Sequence, residues 1–173
     1  VHHHGYLWTG SKEHFDNEAL RRPPHPEPPP PPGPDDPVAE RLLRRYREVA
    51  DRFPVVDLPP LETAYWLVKP HSLIRGSWDE AKDAAAWLGE RLAEFAPRFA
   101  NGWERDGGRL IALVDSAVER LRSGEDVSVG AYLERPSFLS LAVVTCSPNL
   151  RLGHLPCPAS PGAAQGSGSP QVV

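Results

Sequence analysis

The sequence predicts an all-α protein: a small bundle of four or five helices, with a Pro-rich N-terminal arm and a disordered C-terminal tail. Three observations carry this expectation. The run Ser77 to Phe99 reads as a helix opened by a capping box, with Glu80 three residues after Ser77. Along it Ala81, Ala84, Ala85, Leu88, Leu92, Phe95 and Phe99 form one apolar face at three- and four-residue spacing. Segments 37–52 and 106–123 carry stripes of the same period. Only Phe138 to Cys146 is β-rich, and no second strand pattern is visible to pair with it.

The chain has 173 residues and 40% hydrophobic content, enough for one core. Its 21 prolines and 14 glycines concentrate towards the two ends, which divides it into an aromatic arm (1–22), a Pro-rich spacer (23–35), a helical domain (36–147) and a flexible tail (148–173). The net charge of -4 gives no electrostatic footprint for nucleic acid, so none is expected as a partner. No apolar run approaches the roughly 20 residues that span a bilayer. Two cysteines are too few for a disulfide framework, and a reduced cytoplasmic setting is the default expectation. Arginine far outnumbers lysine, which occurs only at 12, 69 and 82, a bias that suits a bacterial, GC-rich source. The chain opens on Val1 and contains no Met, which fits a GTG start or a trimmed chain. In the second case His2, His3 and His4 are a tag remnant.

In residues 1–22 Tyr6, Leu7 and Trp8 sit together without clear periodicity. Such an arm either folds back over its own core or docks on a partner. The proline run from Pro23 to Pro37 leaves polyproline II as the accessible conformation, a stiff spacer that also suits an aromatic-lined groove. Asp36 and Pro37 open a helix to about Arg52, with Val38, Leu42, Tyr46, Val49 and Phe53 as its buried stripe. Arg41, Arg44, Arg45 and Arg47 flank that stripe, interleaved with Glu40, Glu48 and Asp51, and read as a solvated, partly salt-bridged face rather than a DNA-binding patch.

A short helix at about Leu61 to Val68 ends before Pro70, and His71 and Arg75 lie in the loop that leads to Ser77. The helix from about Asp106 to Ser123 ends at Gly124, a position that favours a left-handed cap. Asp126 or Ser128 opens a further helix, interrupted by Pro136, and residues 138–146 are expected to be a central helix of the bundle.

One arrangement has ligand-like spacing: Cys146, His154 and Cys157, a Cys-x7-His-x2-Cys set of soft donors. Zinc takes four protein ligands at a structural site, or three and a water at a catalytic one. His71 or an N-terminal histidine would have to complete this set. The competing readings are a buried Cys146 with a free Cys157, or a reversible disulfide between them. No cofactor is expected beyond zinc at that cluster. The glycine-rich phosphate loop, the Gly-x-Ser-x-Gly elbow and the His-Glu-x-x-His helix are all absent, so no catalytic residue is assigned.

The phrases HGYLWTG, DDPVAERLLRRYREVA, PHSLIRGSWDEAKDAAAWL and YLERPSFLSLAVVTCSPN with PCP resemble a group of small uncharacterised actinobacterial proteins, over residues 5–158. The resemblance implies a bacterial cytoplasmic origin and carries no site residue. The expected function is a non-catalytic interaction or regulatory module. Its protein-partner surface is expected at Tyr6, Trp8, Trp78 and Trp87, the last two lying off the main helical stripe. The alternative is a metal- or thiol-dependent enzyme using Cys146, His154 and Cys157.

Overall fold

The structure, a computed structural model, describes residues 1–159. Its centre is a four-stranded antiparallel sheet, so the fold is mixed α/β and the expected helical bundle is corrected. The strands are β1 (His2–Ser11), β2 (Ile74–Trp78), β3 (Val127–Tyr132) and β4 (Ser137–Cys146), in the spatial order β2-β1-β4-β3. The aromatic arm is therefore a central strand. It pairs with β4 along its whole length, from His2 opposite Cys146 to Ser11 opposite Ser137.

Strand β4 is buried on both faces, and so is β1 from His3 to Tyr6 before Thr9 and Ser11 reach solvent, and that hides them in the sequence. A half-exposed strand alternates apolar and polar residues, whereas a doubly covered one has no polar side to show. In β4 every residue from Phe138 to Cys146 is buried. It is a strand where a central helix was expected, and β3 likewise occupies the place of the helix expected from Asp126 or Ser128. In β1, Tyr6 and Trp8 face the same side as Ala142, Val144 and Phe138, while Leu7 faces the other with Leu139, Leu141 and Val143.

Two helices cover the Leu7 face: α4 (Ala81–Phe95) and α5 (Gly107–Arg122), which pack on each other. Two four-residue helices, α1 (Lys12–Phe15) and α2 (Glu18–Arg21), and α3 (Pro37–Arg52) precede them in the chain. The stripe read for α4 is the one that is buried, with Ala84, Ala85 and Leu88 fully enclosed and Leu92 and Phe99 nearly so. Its start is corrected. Ser77 belongs to β2, and the helix opens at Ala81 after Glu80 with no side-chain cap. Helix α5 begins as expected, with the Asp106 carboxylate accepting from the Arg109 amide at 2.9 Å.

Asp36 caps α3 as its sequence implies, accepting from the amides of Val38 and Ala39 at 3.2 and 3.0 Å. Its stripe, however, is not part of the core. No residue of α3 is buried, Val38 and Leu42 are 65% and 55% exposed, and only Phe53 beyond the helix is enclosed. The Pro-rich spacer runs beside it, leaving a groove of about 640 Å³ between Pro23–Pro30 and Leu42, Tyr46 and Val49.

The second sheet face is covered by a 3-10 turn, Thr63–Val68, and by the chain that returns after β4. Trp66 stacks on Tyr6 with ring centroids 4.7 Å apart. The returning segment is held by Asn149. Its amide nitrogen donates to the Thr145 carbonyl (2.6 Å) and to Asp126 Oδ1 (3.0 Å), and its Oδ1 accepts from the amides of Arg151 and Leu152 at 3.0 Å each. This anchor carries the chain back across the sheet and brings Cys157 over the end of β4. The tail expected over 148–173 is thus ordered by the sheet as far as Cys157, and its last residues lie outside the described part.

Candidate metal centre

A β-strand places residues i and i+2 on one face. In β1 this aligns His2, His4 and Tyr6, and because His2 lies opposite Cys146, that thiol joins the same face. Cys157 arrives from the returning segment. The His4 Nε2 lies 3.1 Å from Cys146 Sγ and 3.4 Å from Cys157 Sγ. The His2 ring contributes a further donor, within 4.8 Å of both sulfurs. His2, Cys146 and Cys157 thus form a group that could hold a metal, and His4 adjoins its two sulfurs without belonging to that mutual cluster.

Burial grades the four. His4 is 1% exposed, Cys146 0% and Cys157 8%, whereas the His2 side chain is 43% exposed and its Nδ1 sits 3.4 Å from the Asp79 carboxylate. Ser77, on the edge strand β2, lies opposite His4, and its Oγ is 2.7 Å from His4 Nδ1. With the proton on Nδ1 donated to Ser77, the Nε2 lone pair faces the sulfurs. A hydrogen bond from the far ring nitrogen to a neighbouring oxygen is how metal-ligating histidines are held in orientation.

The electrostatics describe groups that solvation alone does not satisfy. Burial lowers the His4 pKa to about 4, helped by the neighbouring histidines His2, His71 and His3. Burial raises the Cys146 thiol to about 12, with Cys157 pushing the same way. Both groups are neutral at pH 7 without a cation. One Nε2 lone pair then meets two sulfurs, and it can accept well from only one thiol. The Tyr6 hydroxyl is also orphaned: it is fully buried and has no hydrogen-bond partner. Its pKa is raised, first by burial and then by the nearby Cys146 and Cys157.

The sequence-derived sites are placed as follows. Cys146 and Cys157 converge, as a shared ligand set requires. His154 is exposed and is not one of the clustered donors. His71 is exposed on a short turn, His71–Leu73, near enough to influence His4 without touching the sulfurs in the described contacts. Of the expected partner surface, Tyr6 is fully buried and Trp8 is 7% exposed. Trp78 and Trp87 are half-buried against each other, with centroids 5.3 Å apart. These aromatics pack the sheet. Arg41, Arg44, Arg45 and Arg47 are exposed, and among the described ion pairs none links them to Glu40, Glu48 or Asp51.

Sequence reasoning allowed an N-terminal histidine to complete the ligand set without choosing one, placed Tyr6 on a partner surface and read Ser77 as a helix cap, so it did not bring His2, His4, Ser77 and Tyr6 to this site. A tag reading had set the histidines aside, yet His3 and His4 are buried and make specific contacts, His3 Nδ1 with Thr145 Oγ1 at 3.0 Å among them. The available signal was the His-x-His spacing ahead of a Tyr-Leu-Trp run, which as a strand puts two imidazoles on one face. No protein-family profile matches the chain, and no curated protein or solved structure matches it either.

Proposed function

We propose that this chain is a non-catalytic module whose returning segment is clasped to its sheet by a zinc ion, held by His4, Cys146 and Cys157 with His2 as the fourth ligand. The observation that carries the reading is the His4 Nε2 at 3.1 and 3.4 Å from the two sulfurs. Adjacent ligands of a tetrahedral zinc with Zn–S of about 2.3 Å and Zn–N of about 2.0–2.1 Å lie about 3.3–3.8 Å apart. The donor set, two thiolates and two imidazoles, is that of a closed structural site, and its softness favours zinc over calcium or magnesium.

The enzyme alternative with Cys146, His154 and Cys157 has less support. His154 is exposed and is not among the donors gathered at the two sulfurs. Zinc analysis of reduced, tag-free protein tests the proposal. One zinc per chain is expected, and cobalt substitution should give an intense tetrahedral d–d spectrum with thiolate-to-cobalt charge transfer. Cys146→Ser, Cys157→Ser and His4→Ala should each lose the ion. His154→Ala should keep it. A metal-free protein that takes up neither zinc nor cobalt would overturn the reading, and so would an equal loss in His154→Ala.

A further inference from the structure

Cys146 and Cys157 come from separate segments, yet their sulfurs meet within 4.8 Å at the His2 donor. Each also lies within 3.4 Å of the same His4 nitrogen. One sulfur stands at the end of the rigid strand β4 and is fully enclosed. The other belongs to Cys157 on the returning segment, a residue that is 8% exposed and the more accessible of the two cysteines. No other cysteine exists in the chain to compete for either sulfur.

We propose that this pair is a peroxide-responsive modification site, in which oxidation replaces the zinc clasp by a Cys146–Cys157 disulfide and releases the ion. The proposal rests on the zinc reading above. In the first step the Cys157 thiolate attacks one oxygen of a hydroperoxide, the O–O bond breaks, and a sulfenic acid forms as water (or an alcohol) leaves after protonation. In the second step the Cys146 thiolate attacks the Cys157 sulfur, the S–O bond breaks, and hydroxide leaves as water on protonation. Two thiolates, one hydroperoxide and two protons thus give one disulfide and two waters when the oxidant is hydrogen peroxide. The peroxide takes the two electrons. Zinc then retains two imidazoles in place of four donors, too few for a closed site. The returning segment stays tied to β4 in both states, so what changes on oxidation is the metal and the freedom of His2 and His4.

The experiment uses the full, zinc-loaded chain, stoichiometric hydrogen peroxide and a chromogenic zinc chelator at a concentration that removes no zinc from the reduced protein. The expected result is one zinc released per chain and a mass lower by about 2 Da, with a peptide map joining Cys146 to Cys157. Dithiothreitol with added zinc should restore the starting state. Retention of zinc, sulfinic or sulfonic products, or disulfide-linked dimers would overturn the switch. If the reduced chain takes up no zinc, the zinc reading itself has failed. The same oxidation and peptide map on that metal-free chain then decide the disulfide separately, with Cys157→Ser as the control that must give no intramolecular bond.

Discussion

At Gly5 the Trp87 ring of α4 lies close against the sheet. A Cβ there would stand 2.8 Å from the Trp87 ring and 3.0 Å from Trp78, so the strand fits under α4 only because position 5 has no side chain. Gly5→Ala should destabilise the protein by about 1–3 kcal/mol through overpacking, read as a fall in the urea midpoint at constant slope. Lys69 poses the opposite question, a charge in the interior. It is 2% exposed, its Nζ donates to the Val56 carbonyl at 2.8 Å and to the Phe53 carbonyl, and the Phe53 ring centroid lies 4.0 Å away. Burial lowers its pKa to about 8, with Asp57 pulling upward. Above that value the native chain has shed a proton that the unfolded chain still binds, up to the ordinary lysine range near 10.5. Stability should therefore rise with pH across this window, by about 3 kcal/mol from this one group. Comparing denaturation at pH 8 and 10.5 with Lys69→Met isolates the effect: the variant should lack that increment, and an equal rise in both would refute the assignment.

At the scale of elements, the legibility of the sequence followed exposure. Helices α4 and α5 each have a wet side, so their stripes stand out, and the α4 stripe is the one that packs on the sheet. Leu88→Ala should accordingly cost about 2–5 kcal/mol. The α3 stripe has the same period but lies over a proline groove, and Leu42→Ala should change stability by no more than about 0.5 kcal/mol. A thermal melt of the two variants side by side separates a stripe that packs from one that does not. Periodicity cannot make that distinction, because it reports amphipathicity and not what lies opposite. The strands failed for the converse reason: β4 is covered on both faces and β1 is covered over His3 to Tyr6, so neither shows a sustained alternation. Ser77 misled because a Ser with Glu three residues on is also compatible with an edge strand, where its hydroxyl serves His4 instead of a helix amide. At the candidate metal centre, both cysteines were legible from their spacing, whereas which N-terminal histidines could join them followed only from β1 being a strand.

At the scale of the whole molecule, the first and last described segments meet at one end of the sheet, and that closure joins parts of the chain more than 140 residues apart. Ordering so distant a pair costs conformational entropy, and few apolar contacts repay it beyond Leu155 and Cys157. The Asn149 anchor holds the start of the return, through Arg151 and Leu152, whereas among the described residues its end is met only by the His4 contact to Cys157 and by apolar packing. The proposed zinc, bound by two imidazoles of β1, one thiolate of β4 and Cys157, would supply that hold, since binding energy of an ion that prefers the folded site adds to stability. Chelation should therefore loosen the return segment while leaving the sheet intact. Hydrogen exchange makes this specific: the Leu155 amide, bonded to the Leu152 carbonyl at 3.0 Å, should exchange at least about tenfold faster without zinc. Amides of β4 paired with β1 should change far less, because their ladder does not depend on the clasp. Equal protection of Leu155 with and without the ion would show that the segment is held by its apolar contacts and Asn149 alone, and that the metal site has no part in closing the fold.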